Sequence, residues 1–172
     1  MRTGSFKTVI AHRDGMEHVS GFVFPGDVMG FDGVHANRHE VSAIALEDCT
    51  VCVLPCYLLE KQCLESRSLQ HHIYTLMSKE IVRESALMML LAVMSARERV
   101  AAFLVNVSTR MQQRGYSAVL FNLRMTREEI GSYLGILLET VSRALSRFQK
   151  KGLVRAAGKQ IEIVDIEGLR AV

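Results

Sequence analysis

The chain has 172 residues, 49% of them apolar, and a mean hydropathy of +0.16, enough material for one ordinary domain or two small ones. No apolar run reaches membrane-spanning length and the first residues lack the apolar stretch of a signal peptide, so the expected setting is cytoplasmic, with no membrane partner. The net charge of +3 hides an asymmetry: residues 1–96 carry 8 Lys and Arg against 11 Asp and Glu, residues 97–159 carry 12 against 4, and residues 160–172 carry 1 against 3. A basic block between acidic flanks suits a surface that neutralises phosphates, with a solvated helix face as the plain alternative.

The first third reads as short strands, at residues 5–10, 18–24, 41–46 and 50–54, punctuated by Asp14-Gly15, Pro25-Gly26-Asp27 and Asp32-Gly33. That spacing predicts a β-roll or jelly-roll fragment. Residues 68–94 contain no Gly or Pro and predict one long helix, on which Tyr74, Met77, Ile81, Glu84, Met88 and Leu91 fall on a/d spacing. Such a stripe is either a coiled-coil seam interrupted by one charge or the buried face of an ordinary helix. Ile73, Leu76, Leu87 and Leu90 suit packing of the other side on the roll. Ser95 and Glu98 then form a capping box for a helix whose Val100, Phe103, Leu104, Val107 and Met111 share a face and which stops at Gly115.

The segment from Met125 to Gly152 carries the most information. Thr126 and Glu129 make a second capping box, opening a helix of about eight residues that ends near Leu134, and Gly135 permits a tight turn. From Glu139 to Lys150, Val141, Leu145 and Phe148 recur at helical spacing, leaving Glu139, Ser142, Arg143 and Arg147 on the opposite side. Arg bonds guanine O6 and N7 bidentately and Glu accepts from cytosine N4, so Glu139 and Arg143 are expected to read bases in a major groove, with Ser142 compatible with several bases. Thr126, Arg147, Lys150, Lys151 and Lys159 are the expected contacts to the DNA backbone. Gly152 supplies a helix stop, and residues 153–164 alternate and turn as a small hairpin. This is a winged helix-turn-helix, and double-stranded DNA is the expected partner; an amphipathic helical hairpin with solvated charges is the bland reading.

These residues resemble the CRP/FNR superfamily of bacterial transcription regulators, and within it the FNR (fumarate and nitrate reduction regulator) branch. Glu139, Ser142 and Arg143 stand where that branch reads its half-site, Gly158-Lys159 fits its wing turn, and Phe24-Pro25-Gly26-Asp27 followed by residues 28–31 looks like its β-roll turn. The resemblance covers nearly the whole chain, but Met1 aligns with the middle of the family's sensor domain, which implies an N-terminal truncation. It implies an α+β fold: a partial β-roll sensor at 1–67, a dimerisation helix at 68–94, and a winged helix-turn-helix at 95–172. It also implies a homodimer on a palindromic operator, acting as an activator that recruits RNA polymerase through surfaces including residues 113–121.

Cys49, Cys52, Cys56 and Cys63 taken alone suggest an iron–sulfur or zinc site. By resemblance Cys52 matches one ligand of the [4Fe–4S] cluster held by full-length oxygen-sensing relatives, whose other ligands come from a segment that this sequence lacks. Cys49 and Cys52 differ by three positions along a strand and therefore point to opposite faces, so Cys49, Cys56 and Cys63 are not expected to replace those ligands and no cofactor is expected in this chain. Where the family's cyclic-nucleotide binders carry an Arg-Ser pair, this chain has Asn37-Arg38-His39-Glu40-Val41-Ser42, and Glu40 repels a phosphate. His35, His39 and Glu40 raise a remote alternative, a metal-dependent jelly-roll enzyme. No nucleophile elbow, P-loop or dinucleotide fingerprint accompanies them, and no enzyme is expected. A further alternative is a sensing-dead fragment that only dimerises or binds DNA constitutively. One departure from the FNR pattern stands out: Leu137 occupies a position where that branch usually places Thr, and Leu cannot cap the helix that follows.

Overall fold

The computed structural model describes residues 1–11 and 15–172. Strands β1 (Phe6–Ala11) and β2 (Glu17–Val23) form an antiparallel hairpin, and β3 (Ser42–Ala45) pairs antiparallel with the other edge of β1. The expected Asp14-Gly15 turn lies partly outside the described residues, as does His12. A register shift beside Thr8 and Val9 makes Thr8 face Gly21 and Val9 face Val19, leaving Ser20 as the extra residue of a bulge whose hydroxyl donates to Thr8 Oγ1 at 2.9 Å. Val9, Val19, Phe22 and Val23 are buried.

After β2, Phe24-Pro25-Gly26-Asp27 makes a type II turn, with Gly26 at φ +89° and the Asp27 N–H donating to Phe24 O at 3.0 Å. A one-turn helix α1 (Gly33–Ala36) follows. The expected fourth strand at 50–54 does not form: Thr50 makes a single bridge to Thr3, and 51–55 is irregular. Its β-branched run matches a strand pattern, but a strand needs a ladder partner, and here the pairing ends at Thr50. The chain instead turns at Pro55 into helix α2 (Cys56–Glu65), which the sequence reading missed.

Helix α3 (Arg67–Val93) is capped by Ser66, whose hydroxyl accepts from the Leu69 N–H at 3.3 Å. Helix α4 (Ala96–Gln113) opens on the full capping box: the Glu98 N–H donates to Ser95 Oγ at 3.4 Å and the Ser95 N–H to Glu98 Oε2 at 2.6 Å. These bonds hold the Glu98 carboxyl below its usual range. Val100, Phe103, Leu104 and Val107 are buried, as their spacing requires. Next come β4 (Leu120–Asn122), α5 (Arg127–Leu134), α6 (Leu138–Lys150), β5 (Val154–Ala157), β6 (Gln160–Ile163) and α7 (Ile166–Arg170). The second sheet has the order β4-β6-β5, so the expected hairpin gains a third strand from the end of the 113–121 loop. The unforeseen α7 is capped by Asp165 and buries Leu169 against the core.

One apolar cluster joins both halves. Phe22 of β2, Phe103 of α4 and Tyr133 of α5 pack edge to face with centroids 5.2–6.0 Å apart. Around them, Asp27 takes both Arg110 of α4, at 2.6 Å, and Arg114 just past its end, while the Arg110 guanidinium lies 4.5 Å from the Phe24 ring centroid. Burial pushes the Arg110 guanidinium below its ordinary value, and the Asp27 charge works against that shift. Lys7 pairs with Glu129 at 2.8 Å, the Val19 N–H donates to Ser132 Oγ at 2.9 Å, and Glu47 links Ser5 at 2.7 Å to Arg124 at 2.9 Å.

Candidate nucleic-acid interface

Helix α5 begins as the sequence dictates. The Glu129 N–H donates to Thr126 Oγ1 at 3.1 Å and the Thr126 N–H to Glu129 Oε2 at 2.6 Å. At its other end Gly135 adopts φ +62°, the Ile136 N–H returns to Gly131 O at 2.9 Å, and the Gly135 N–H to Ser132 O at 3.3 Å. This αL stop turns the chain directly into α6. Gly131, which the sequence reading passed over, is needed for a different reason: a Cβ there would lie 2.6 Å from Ile136 O.

Helix α6 buries Val141, Ala144, Leu145 and Phe148 against the core. Glu139, Arg143 and Arg147 are exposed and Ser142 is half-buried, so the structure places these four on the face away from the core. Arg143 Nη2 donates to Thr140 Oγ1 at 3.1 Å, a contact that sequence reasoning did not anticipate. The helix N-cap is Leu137, which makes no side-chain cap bond and is 72% exposed. Its first-turn N–H groups therefore lack a side-chain acceptor from the capping position. At the far end the Leu153 N–H returns to Phe148 O and the Gly152 N–H to Gln149 O, both at 3.0 Å, with Lys150 and Lys151 exposed beside this stop.

The wing turns through Gly158-Lys159, a two-residue loop between paired Ala157 and Gln160, with Lys159 exposed at the tip. The Leu123 N–H bonds Lys159 O at 2.8 Å, anchoring the wing to the strand ahead of α5. Thr126 is exposed at the start of α5, but its hydroxyl is engaged in the capping box. The expected backbone contacts thus lie on four separate stretches around α6: the start of α5, the outer face and end of α6, and the wing tip.

On α3, none of the 27 residues is buried. Tyr74, Ile81 and Met88 are 60–65% exposed, Glu84 is exposed, and Met77 and Leu91 are partly covered. Leu90 packs on the core, and Glu84 and Leu87 line a cavity between α3, the first sheet, Arg110 and Tyr133.

The cysteines and histidines of the roll stand apart from one another. Among the described residues no three His, Cys, Asp or Glu are grouped to hold a metal ion. Cys52 is exposed, and the Cys49 thiol donates to the carbonyls of Ser5 and Glu47. Contrary to expectation, Cys49 and Cys52 do not share a strand, so alternation along a strand does not set their directions. His39 turns to Asp32 at 3.3 Å, and Glu40 pairs with the Arg38 guanidinium. Burial raises the Asp32 carboxyl, but bonds from the Val41 N–H, the His39 ring and the Glu40 N–H hold it below its usual range.

Residues 98–172 match the Crp-like helix-turn-helix domain, and residues 1–66 match the cyclic nucleotide-binding domain. The chain is 42% identical over 170 residues to the transcriptional regulatory protein btr of Bordetella pertussis, covering 99% of this chain and 70% of that protein. It is 44% identical over 165 residues to the electron transport regulator A of Shewanella oneidensis, covering 96% of this chain and 66% of that one. The structure of FixK2 from Bradyrhizobium japonicum is similar with a TM-score of 0.85 at 32% identity, covering 98% of this chain and 83% of that one. No helix among the described residues is long and apolar enough to cross a membrane. With a buried-core helix-turn-helix that leaves its second helix exposed and relatives matched over nearly the entire chain, this protein belongs to the CRP/FNR family of transcriptional regulators.

Proposed function

We propose that the chain binds a palindromic, FNR-like operator as a homodimer and activates transcription there. The observation that carries this reading is the outer face of α6, where Glu139 and Arg143 stand one turn apart, exposed, on a helix fixed from behind by Val141, Leu145 and Phe148. Arg143 takes guanine, Glu139 takes cytosine N4, and Ser142 adds an adaptable contact. Arg147, Lys150, Lys151, Lys159 and the start of α5 at Thr126 hold the phosphates and set the register. The division follows function: 1–67 for the roll, 68–94 for dimerisation, 95–172 for DNA.

The apolar stripe Tyr74, Met77, Ile81, Met88 and Leu91 supports α3 as the dimer seam, because most of it meets solvent in a single chain. A two-fold axis along α3 carries two recognition helices to successive major grooves, roughly 34 Å apart. RNA polymerase is the partner this reading assigns to residues 113–121, and a cytoplasmic setting goes with it. Relatives named transcriptional activator protein Anr support activation.

The test is sedimentation of the chain with a palindromic duplex, selected by the chain from random DNA, and with a duplex carrying one half-site. The reading expects two chains per palindrome and far weaker binding to the half-site. One chain per duplex, bound equally well to both, would overturn the dimer.

A further inference from the structure

Helix C-termini leave their last carbonyls without partners, and those carbonyls carry the negative end of the helix dipole. Two such ends converge on one side chain in this chain. Arg99, in the first turn of α4, donates from Nη2 to Leu91 O at 2.7 Å and from Nε to Met94 O at 3.0 Å, both at the end of α3. From Nη1 it donates to Leu134 O at 3.0 Å, the last carbonyl of α5 before the helix-turn-helix turn. A Cβ built on Gly135 would lie 3.7 Å from Arg99 Nη1 and 3.9 Å from Leu91 Cδ2, so the turn into α6 passes close to both residues.

A planar guanidinium with donors in a fixed fork can hold these carbonyls in one relative geometry, which a point-like ammonium cannot. Leu91 belongs to the a/d stripe of α3, and Gly135 sets the start of α6. We infer that Arg99 is the positioning residue that fixes the angle of the recognition helix against α3. In a dimer built on α3 it thereby sets the spacing at which the two recognition helices meet their half-sites. This role rests on the homodimeric reading above.

The experiment measures binding of the full chain to palindromic duplexes whose half-sites are moved apart or together in single base-pair steps. The wild-type chain should show one sharply preferred spacing. Arg99→Ala, checked for intact helicity and for dimerisation by sedimentation, should lose about tenfold at that spacing and less than about twofold at shifted spacings, flattening the preference by the worth of one hydrogen bond to a charged group. Arg99→Lys should fall between, and it carries the test alone if the alanine variant does not fold. A general loss of stability lowers binding at every spacing alike, so variants that keep the wild-type spacing preference overturn the role of Arg99. A wild-type chain without any spacing preference brings down the dimer itself and this role with it.

Discussion

Helices α3 and α4 follow one another in the chain, yet their surfaces are opposites. Of the 18 residues of α4, six are buried; of the 27 of α3, none is. The difference does not come from composition, since α3 is rich in Leu, Met and Ile. It comes from where the apolar residues find partners. Those of α4 meet β2, α5, α6 and α7 within the same chain. Tyr74, Ile81 and Met88 of α3 are 60–65% exposed, and a long helix with an exposed a/d stripe is expected to acquire its core from a second helix. The contrast is the one that the proposed dimer explains, with the core of α4 supplied by its own chain and that of α3 by a second copy.

The comparison is broken most forcefully at Asp27, which joins the roll to α4. Its carboxylate holds Arg110 and Arg114, and all three side chains are 13–17% exposed. Asp27→Ala leaves two guanidinium groups poorly compensated and should cost about 3 kcal/mol, read as a lower midpoint in denaturant with an unchanged slope. An effect below about 1 kcal/mol would mean that the aromatic cluster and the other polar links, Lys7 with Glu129 and Val19 with Ser132, hold the two halves together without it.

The α3 side is sharpened at Glu84. In a parallel dimer this residue meets its symmetry mate across the seam, and like charges oppose association. Glu84→Leu should tighten the dimer about tenfold in sedimentation, near the ~1 kcal/mol of two charges about 4 Å apart in bulk water. An unchanged or weaker dimer would place Glu84 with the cavity over the sheet instead of in the seam.

A smaller effect is expected at Leu137, whose exposure shows that it anchors no core. Leu137→Thr gives α6 a cap hydroxyl and should stabilise the chain by about 1 kcal/mol, measured as a raised melting temperature, with modestly tighter DNA binding. A lower melting temperature would show that Leu137 contributes more by its apolar contacts than a cap can return.

The smallest expected effect is set by pH. Burial raises the Glu129 carboxyl, but the Lys7 ammonium and the Thr126 N–H and hydroxyl hold it below its ordinary value of 4.5. A depressed carboxylate contributes stability that is complete above the ordinary value and is lost as pH falls through the depressed one. Glu129→Gln should therefore lower stability at neutral pH by under about 1 kcal/mol and leave it nearly unchanged well below pH 4.5, so that the acid limb of the stability profile flattens.

The parts that were legible in the sequence are those governed by neighbours in the chain. Ser95 with Glu98, Thr126 with Glu129, Gly135 and Gly152 each fix a helix boundary within a few residues, so α4, α5 and α6 were readable together with the buried row Val141, Leu145 and Phe148. The strand expected at 50–54 failed because strand formation depends on a remote partner, and Thr3 reaches only Thr50. Helix α2 was hidden by the same misreading. The contacts that join roll to helix-turn-helix, Lys7 with Glu129 and Val19 with Ser132, span more than a hundred residues and leave no periodic trace. Of the recognition face, the exposed charges were legible from their offset to the core row. The Thr140 hydroxyl under Arg143 was not, because a hydroxyl on a helix usually serves its own backbone.

The central claim is that the exposed face of α6 reads base sequence, and competition binding of Arg143→Ala tests it most directly. The variant and the wild-type chain are titrated with the selected palindrome against scrambled duplex of equal length. The account predicts a loss of roughly 1–3 kcal/mol at the selected site with scrambled binding nearly unchanged, whereas Lys150→Ala weakens both duplexes alike and shallows the salt dependence. Equal loss on both duplexes for Arg143→Ala would contradict base reading by this face.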